Sequence, residues 1–211
     1  MYELYYYPGH ASLLPHMALR ELDVSFKLIS VDIAKKEQQS QQYMMLNPNG
    51  RIPTLVDGDL VLFEASAITM YLADRHPEGG LAPLVGMRER GAFYKWMVHL
   101  TNTPQAEYRS WYYPWERVSD ATSVEDVKAN AERRLDRMFD LIETQMGAGP
   151  WLLGEQFSAA DLFLFMLVDW GGGMKRPPYR LPGLGDHARR VLARPAVRAT
   201  LEAERYEVSF A

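Results

Sequence analysis

The sequence predicts an α/β module followed by an all-helical half. Strand and helix patterns alternate over residues 1–78, whereas residues 87–211 show helical periodicity without a strand pattern. The segment 77–80, which contains proline and glycine, interrupts both patterns and marks the junction. We therefore expect two domains, one at 1–78 built on a small mixed sheet and one at 87–211 built from helices alone.

The first elements follow the order strand, helix, strand, helix. Residues 2–7 are rich in tyrosine and predict a strand, which a Pro-Gly pair ends. The apolar period of the next segment predicts a helix with Ser12 at its N-cap. Residues 26–32 alternate as a second strand, and the polar stretch 35–43 predicts a short helix.

A hairpin and a closing helix complete the first half. Asp57 and Gly58 lie between two apolar runs, 54–56 and 60–63, and an Asp-Gly pair in this position favours a tight β-hairpin. Residues 65–76 then place apolar side chains on one face of a helix. Together these elements predict a mixed sheet with helices packed on it.

The second half begins with two long helical segments. Residues 87–117 predict a helix that Pro104 and Pro114 kink or end. Residues 124–146 carry apolar side chains at a helical period and predict an amphipathic helix.

A capping motif marks the helix that we expect at the centre of the second half. Ser158 and Asp161 have the spacing at which each side chain accepts from the backbone N–H of the other residue. Residues 162–168 are apolar on every side, so this helix should be buried. Two shorter helices, near 186–193 and 196–204, finish the chain.

Composition and charge argue against several classes of function. A net charge of −4, from 23 basic and 27 acidic residues, disfavours nucleic acid as a partner. The longest apolar run, residues 162–168, is too short to span a bilayer, and Glu3 occupies the place of a basic signal-peptide start. Cysteine is absent, which excludes disulfides, zinc thiolates and protein-thiol nucleophiles. We expect a cytoplasmic protein without a metal and without a membrane partner.

Several motifs together resemble the glutathione transferase (GST) superfamily. In the first half they are Asn-Pro-Asn-Gly-Arg-Ile-Pro at 47–53, Phe-Glu-Ala-Ser-Ala-Ile at 63–68 and Tyr-Leu-Ala at 71–73. In the second half they are the capping motif at 158–161 and Arg-Pro-Ala-Val at 194–197. The resemblance spans nearly the whole chain. It implies the GST fold, in which a thioredoxin-like α/β N-terminal domain holds glutathione and an all-α C-terminal domain offers an acceptor pocket.

The opening segment, residues 7–16, is most similar to the bacterial beta class, with two departures. Ala11 stands where that class has its cysteine, and Ala65 stands where the family has a serine after Glu64. The resemblance further implies a homodimer, in which the N-terminal domain of one subunit meets the helical domain of the other.

Glutathione presents an ammonium and two carboxylates around a thiol, and the sequence offers a partner for each. We expect Glu64 to bind the ammonium, and the free N–H groups of Ala65 and Ser66, at a helix start, to bind the adjacent carboxylate. The resemblance implies that the backbone of Ile52, before a cis peptide to Pro53, pairs with the cysteinyl part. The candidates for the glycyl carboxylate are Lys35, Gln39 and Arg51.

Transfer requires glutathione as a thiolate, and an ordinary cysteine thiol has a pKa of about 8.5. The positive end of the helix near Ser12 favours an anion, and we predict that the Ser12 hydroxyl donates to the sulfur. His10 is the second candidate, followed by Tyr6 or Tyr7, with Asn102 from the second domain as an auxiliary. Structural alternatives remain open, because Ser12 could serve only as a helix cap and His10 only as a turn residue.

An aromatic cluster in the second half is the predicted wall of the acceptor pocket. The pocket prediction comprises Tyr108, Trp111, Tyr112 and Asn102, and the same cluster includes Tyr113 and Trp115. Aromatic rings in this place would provide an apolar surface for an electrophile near the thiolate. The cluster could equally form a core or a dimer interface.

These observations favour transfer of glutathione to a small apolar electrophile, with glutathione as the co-substrate. Two other functions remain open. One is glutathione-dependent peroxide or disulfide reduction, which here would proceed without a protein thiol. The other is a GST-like binding or interaction protein without turnover. Ala11 and Ala65 favour this alternative because they replace the cysteine and the serine of the family pattern.

Overall fold

The computed structural model describes residues 1–147 and 149–210, and it has an α/β part followed by a helical part. The first part consists of β1 (Tyr2–Tyr6), α1 (Leu13–Glu21), β2 (Phe26–Ser30), α2 (Gln41–Met44), β3 (Thr54–Asp57), β4 (Leu60–Phe63) and α3 (Ala65–Arg75). The second part consists of α4 (Glu89–Leu100), α5 (Ala106–Tyr112), α6 (Val124–Met146), α7 (Ala159–Trp170), α8 (Pro182–Leu192) and α9 (Pro195–Glu204). This confirms the predicted fold class. Among the described residues, no helix combines the length and the apolar character needed to cross a membrane.

The sheet has the mixed strand direction that the sequence predicts. Its strand order is β2-β1-β3-β4. β1 pairs with β2 in parallel and with β3 in antiparallel direction, and β3 and β4 form the predicted hairpin. The loop after β1 therefore leaves the carboxyl end of a parallel strand, which is where open α/β sheets bind their ligands.

Helix α1 joins the two parts of the molecule. It packs against α3 in the first part and against α7 and α9 in the second. Leu13, Leu14 and Met17 on this helix are fully buried, as are Leu4 of β1 and Ile68 of α3. The loop that precedes α1 is thus held between a sheet and a helical core.

Helix α7 is buried along its length from Ala159 to Asp169, as its apolar sequence predicts. The capping box is present: the N–H of Ser158 donates to Asp161 Oδ2 at 2.8 Å. The carboxylate of Asp161 also accepts from the N–H of Leu152 at 2.8 Å and contacts His187 Nε2 at 3.0 Å. Asp161 therefore has a structural role in the second part.

The region after β1 and α1 differs from its prediction in two details. β2 ends at Ser30, two residues earlier than predicted, and the N–H of Asp32 donates to Glu37 Oε2 at 2.7 Å. The predicted single helix at 35–43 is split by Ser40, whose extended backbone begins α2 and whose hydroxyl accepts from the N–H of Tyr43 at 3.2 Å.

The predicted long helix at 87–117 is divided into four pieces. Between α4 and α5 lies a π-helical turn, Thr101–Gln105, that contains Pro104. Proline lacks the N–H that a regular helix uses at this point, so the ladder is interrupted there. After α5 a 3₁₀ turn, Pro114–Arg117, begins at the second proline. Pro104 and Pro114 therefore interrupt the helix, as predicted.

Candidate active site

A cavity of about 760 Å³ lies between the two parts of the molecule. Its volume is in the range of sites for small molecules. The first part contributes the loop after β1, the turn before β3 and the start of α3, and the second part contributes α5, its flanking turns and the end of α7. Eight predicted site residues line this cavity, namely His10, Arg51, Ile52, Pro53, Glu64, Ala65, Tyr108 and Tyr112.

The structure corrects the assignment of Ser12. Its side chain is fully buried and is not part of the cavity wall. The hydroxyl donates to the carbonyl of Tyr7 at 3.1 Å and accepts from the N–H of the same residue at 3.2 Å. Because its one proton is used in this loop, Ser12 has none to donate to a ligand sulfur. Ser12 is the N-cap residue of α1, as predicted, but its side chain makes no capping hydrogen bond to the helix.

Four other predicted site residues lie outside the cavity wall, three because they are exposed elsewhere and one because it is buried. The Lys35 side chain is exposed and pairs with Asp32 Oδ2 at 3.0 Å, and Gln39 and Asn102 are also exposed. Trp111 is buried to 7% exposure with its ring 4.7 Å from that of Tyr112, measured between centroids.

Ser66 is also absent from the lining, although it lies in the first turn of α3. The serine is buried to 8% exposure, and the contact of its backbone N–H with a ligand stays a prediction. The peptide between Ile52 and Pro53 is cis, as the resemblance implies.

Glu64 occupies an unusual backbone conformation at the start of α3. Its φ is +73°, in the left-handed region that residues other than glycine rarely adopt. Such a conformation costs of order 1–3 kcal/mol and is concentrated at ligand sites. The exposed carboxylate lines the cavity beside Ala65, the first residue of the helix. One point of the wall therefore offers an anion together with free helix N–H groups, which suits a zwitterionic amino-acid head.

His10 lines the cavity in the loop that follows β1, and its imidazole can accept or donate a proton. Its Nδ1 lies 3.1 Å from the carbonyl oxygen of Pro8. A carbonyl oxygen only accepts, so Nδ1 carries a proton and donates it. In the neutral ring Nε2 is then the basic nitrogen. The ring also packs edge-on against Tyr7, with 5.0 Å between centroids.

The neighbouring residue, Gly9, is bound by the helical part on both sides of its peptide unit. Its N–H donates to Glu204 Oε2 at 2.9 Å, and its carbonyl accepts from Trp170 Nε1 at 2.9 Å. Its φ is +70°, and a Cβ at this position would lie 2.3 Å from Tyr206 Cε2. Only glycine fits here without a shift of the neighbouring ring.

The second oxygen of Glu204 is bound by a buried histidine. Glu204 Oε1 accepts from His16 Nδ1 at 2.7 Å, and both side chains are fully buried. Arg20 Nε donates to His16 Nε2 at 3.2 Å. An arginine nitrogen always donates, so Nε2 is the acceptor and Nδ1 carries the proton. Glu204 therefore accepts two hydrogen bonds in the interior and ties α1 and the Gly9 loop to α9.

The hydroxyls of two α5 tyrosines in the cavity wall are already used as donors. Tyr108 donates to the carbonyl of Leu167 and Tyr112 to that of Trp170, both at 2.7 Å. Burial raises the pKa of Tyr112 to about 12 and raises the pKa of Tyr108 as well. These groups stay protonated and bonded to the backbone, so they form an aromatic wall and do not compete as thiolate donors.

Several lining residues of the helical part escaped sequence prediction. They are Thr101, Gln105, Arg109, Arg117, Trp170 and Tyr206. The first three recur at intervals of four, so they share one helix face, and this period was an available signal. Trp170 and Tyr206 reach the cavity through long-range packing, which no local pattern shows.

Comparisons with known proteins identify the family. Residues 1–74 match the family model for the glutathione S-transferase N-terminal domain, and residues 125–190 match that for the glutathione S-transferase C-terminal domain. The two models together cover more than half of the chain.

Solved structures extend the likeness to nearly the full length. A glutathione transferase from Methylococcus capsulatus str. Bath is 34% identical, with a TM-score of 0.86 over 97% of this chain and 99% of that one. A glutathione transferase homolog from Sulfitobacter with bound glutathione is 28% identical, with a TM-score of 0.89 over 96% and 98% of the two chains. The bacterial beta-class enzyme of Sphingomonas chungbukensis is 29% identical, with a TM-score of 0.84 over 96% and 98%. The chain therefore belongs to the glutathione transferase superfamily.

Proposed function

We propose that this enzyme binds glutathione in the cavity and transfers its thiolate to a small electrophile that carries an aromatic body. The observation that carries the proposal is the convergence of Glu64, the start of α3, the Ile52–Pro53 peptide and His10 on one cavity. The Sulfitobacter homolog was crystallised with glutathione, which supports the same ligand here.

Each part of glutathione finds a complementary group on the N-terminal side. The Glu64 carboxylate takes the ammonium, and the backbone N–H groups of Ala65 and Ser66 take the neighbouring carboxylate. The backbone of Ile52 pairs with the cysteinyl unit. Arg51, which lines the cavity, takes the glycyl carboxylate in place of Lys35 and Gln39, which lie outside the wall.

We assign the activation of the thiol to His10. Lowering the thiol pKa by about two units requires roughly 2.7 kcal/mol of preference for the anion. His10 Nε2 accepts the thiol proton, and the resulting imidazolium together with the positive end of α1 stabilises the sulfur anion. The sulfur then bonds to the electrophilic carbon, and the leaving group departs with the electrons of the broken bond. His10 returns its proton to solvent.

The absence of cysteine favours conjugation over thiol exchange as the chemistry of this site. Ala11 lines the cavity at the position of the beta-class cysteine, so the protein offers no sulfur for a mixed disulfide with glutathione. We also propose the domain division at 1–78 and 87–211, with the acceptor pocket on the helical side, and a homodimer of the family type.

The decisive experiment combines binding and turnover. Calorimetric titration with glutathione is followed by a conjugation assay with 1-chloro-2,4-dinitrobenzene. We expect both binding and turnover. Binding without turnover would contradict the transfer reaction and favour a carrier role, and the absence of binding would remove the glutathione site itself.

Two substitutions of His10 remove the basic nitrogen and differ in which nitrogen position the replacement amide occupies. In His10→Asn the amide can still donate to the carbonyl of Pro8, but the base at Nε2 is lost. In His10→Gln the longer amide occupies the Nε2 position without a base. We expect kcat/KM to fall by about 100-fold in both, because general-base catalysis is worth about that factor or more. Unchanged kcat/KM in His10→Asn would remove His10 from the reaction.

A further inference from the structure

The helical side of the cavity carries two positive charges. Arg109 on α5 and Arg117 at the end of the following 3₁₀ turn both line the wall. Among the described lining residues, the acidic side chain is that of Glu64 alone. This glutamate comes from the N-terminal part and is assigned to the glutathione ammonium. The acceptor side thus has an excess of positive charge.

The two arginines differ in how far their charge is compensated. Arg109 pairs with Glu116, and its guanidinium lies over the ring of Tyr113 at 5.7 Å from the centroid. Across residues 1–147 and 149–210, no carboxylate forms an ion pair with Arg117. The charge of Arg109 is therefore compensated within the protein, and that of Arg117 remains available to a ligand.

The same side of the cavity offers flat apolar surface. Tyr112, Tyr113 and Trp170 line it. The Tyr112 hydroxyl is bonded to the carbonyl of Trp170, so its ring surface and not its polar end is available to a ligand. Aromatic rings stack against such surfaces or meet them edge-on. An aromatic wall beside an uncompensated guanidinium is complementary to an aromatic ring that carries an anion.

We propose, on the basis of the proposed function, that the acceptor is an aromatic electrophile bearing a carboxylate, and that Arg117 binds this carboxylate. This narrows the apolar acceptor expected from the sequence to an amphipathic one. With 4-chloro-3-nitrobenzoate as the probe, the glutathione sulfur bonds to the carbon that bears chlorine, and chloride leaves with the bonding electrons. The thiol proton passes to His10, and the carboxylate remains unchanged on Arg117.

The test measures binding without relying on turnover. Two conjugates are synthesised chemically, S-(4-carboxy-2-nitrophenyl)glutathione and its 4-carbamoyl analogue, and are titrated by calorimetry. The analogue differs only in replacing the carboxylate by a neutral amide. The protein is used as wild type, as Arg117→Ala, and as Arg137→Ala, an exposed arginine on α6 outside the cavity that serves as the control.

We expect the wild type to bind the carboxylate conjugate about fivefold more tightly than the amide, which is the upper range for a solvent-exposed ion pair. Arg117→Ala should abolish this preference, and Arg137→Ala should retain it. Equal affinity of the wild type for both conjugates would overturn the proposal, as would a preference that survives in Arg117→Ala. The carboxylates of glutathione are common to both conjugates. An equal loss of affinity for both in Arg117→Ala would therefore assign the arginine to glutathione and overturn the proposal too.

Turnover of 4-chloro-3-nitrobenzoate and of 4-chloro-3-nitrobenzamide, each normalised to its uncatalysed rate with glutathione, separates the two proposals. A preference in binding without turnover of either compound would contradict the transferase reaction and leave the anionic acceptor site supported. Turnover of both compounds without a preference in binding would support the reaction and contradict the anionic acceptor.

Discussion

Replacing Glu204 by glutamine tests the contact that fixes the cavity loop to the helical part. The two carboxylate oxygens accept from Gly9 N at 2.9 Å and from His16 Nδ1 at 2.7 Å, and the residue is 3% exposed. An amide offers one oxygen in place of two. In Glu204→Gln, one of the two donors therefore loses its acceptor and faces an NH₂ group.

The magnitude follows from the burial of these groups. A hydrogen bond to a charged group contributes about 1.5–3 kcal/mol, and a buried donor left without a partner adds its desolvation cost. We expect Glu204→Gln to lower the free energy of unfolding by about 3 kcal/mol. For a chain of this size this corresponds to a fall of roughly 10 °C in Tm. Because Gly9 precedes His10, kcat/KM with glutathione should fall as well.

The assay is thermal and urea unfolding followed by circular dichroism, with kcat/KM measured in parallel. Glu202→Gln is the matched control, since Glu202 is exposed on the same helix. Its free energy of unfolding should remain within about 0.5 kcal/mol of the wild type. A loss in Glu204→Gln no larger than that of the control would refute the interpretation that this carboxylate ties the loop to α9.

Three further changes test other parts of the site. Gly9→Ala should destabilise the protein and abolish most activity, because the added Cβ would lie 2.3 Å from the Tyr206 ring. Gly58→Ala is the control, since Gly58 also has a positive φ but open space around it. Only Gly9→Ala should lose most of its kcat/KM. Glu64→Gln should raise the Kd for glutathione at least about tenfold in calorimetry, because the charged hydrogen bond between the carboxylate and the glutathione ammonium is lost. An unchanged Kd would contradict the assignment. Tyr112 has its pKa raised to about 12, so its protonated form is favoured in the folded state. The wild type should have a higher free energy of unfolding than Tyr112→Phe. This difference should be largest below about pH 10 and should fall as the pH rises towards about 12. Unfolding curves over this pH range check the sign, and a difference that grows with pH would contradict it.

Local patterns predicted most of the fold because each element carries its own signal. The hairpin at Asp57 and Gly58 and the capping box at Ser158 and Asp161 depend on neighbouring residues, and both are present. The interruption at Pro104 was also predicted, because a missing N–H acts wherever the helix lies. The split at Ser40 was not, since a serine can continue a helix or begin a new one.

The sequence predicted cavity-lining residues only where they follow from the resemblance or from adjacent residues. Glu64 and Ala65 line the cavity because they begin a helix at the sheet end. Ser12 failed because the direction of a hydroxyl depends on the loop it closes, here the backbone of Tyr7. The binding of Gly9 by Trp170 and Glu204 joins residues more than 160 positions apart, and no periodicity reports such a contact.

The pKa of the glutathione thiol in the bound complex tests the central claim most directly. Ultraviolet absorbance of the thiolate, titrated with pH, gives this value for the wild type and for His10→Asn. We predict that the wild type holds the thiol pKa well below its ordinary value of about 8.5, and that His10→Asn returns it towards that value. An ordinary thiol pKa in the wild type, or a lowered pKa that persists in His10→Asn, would contradict the account.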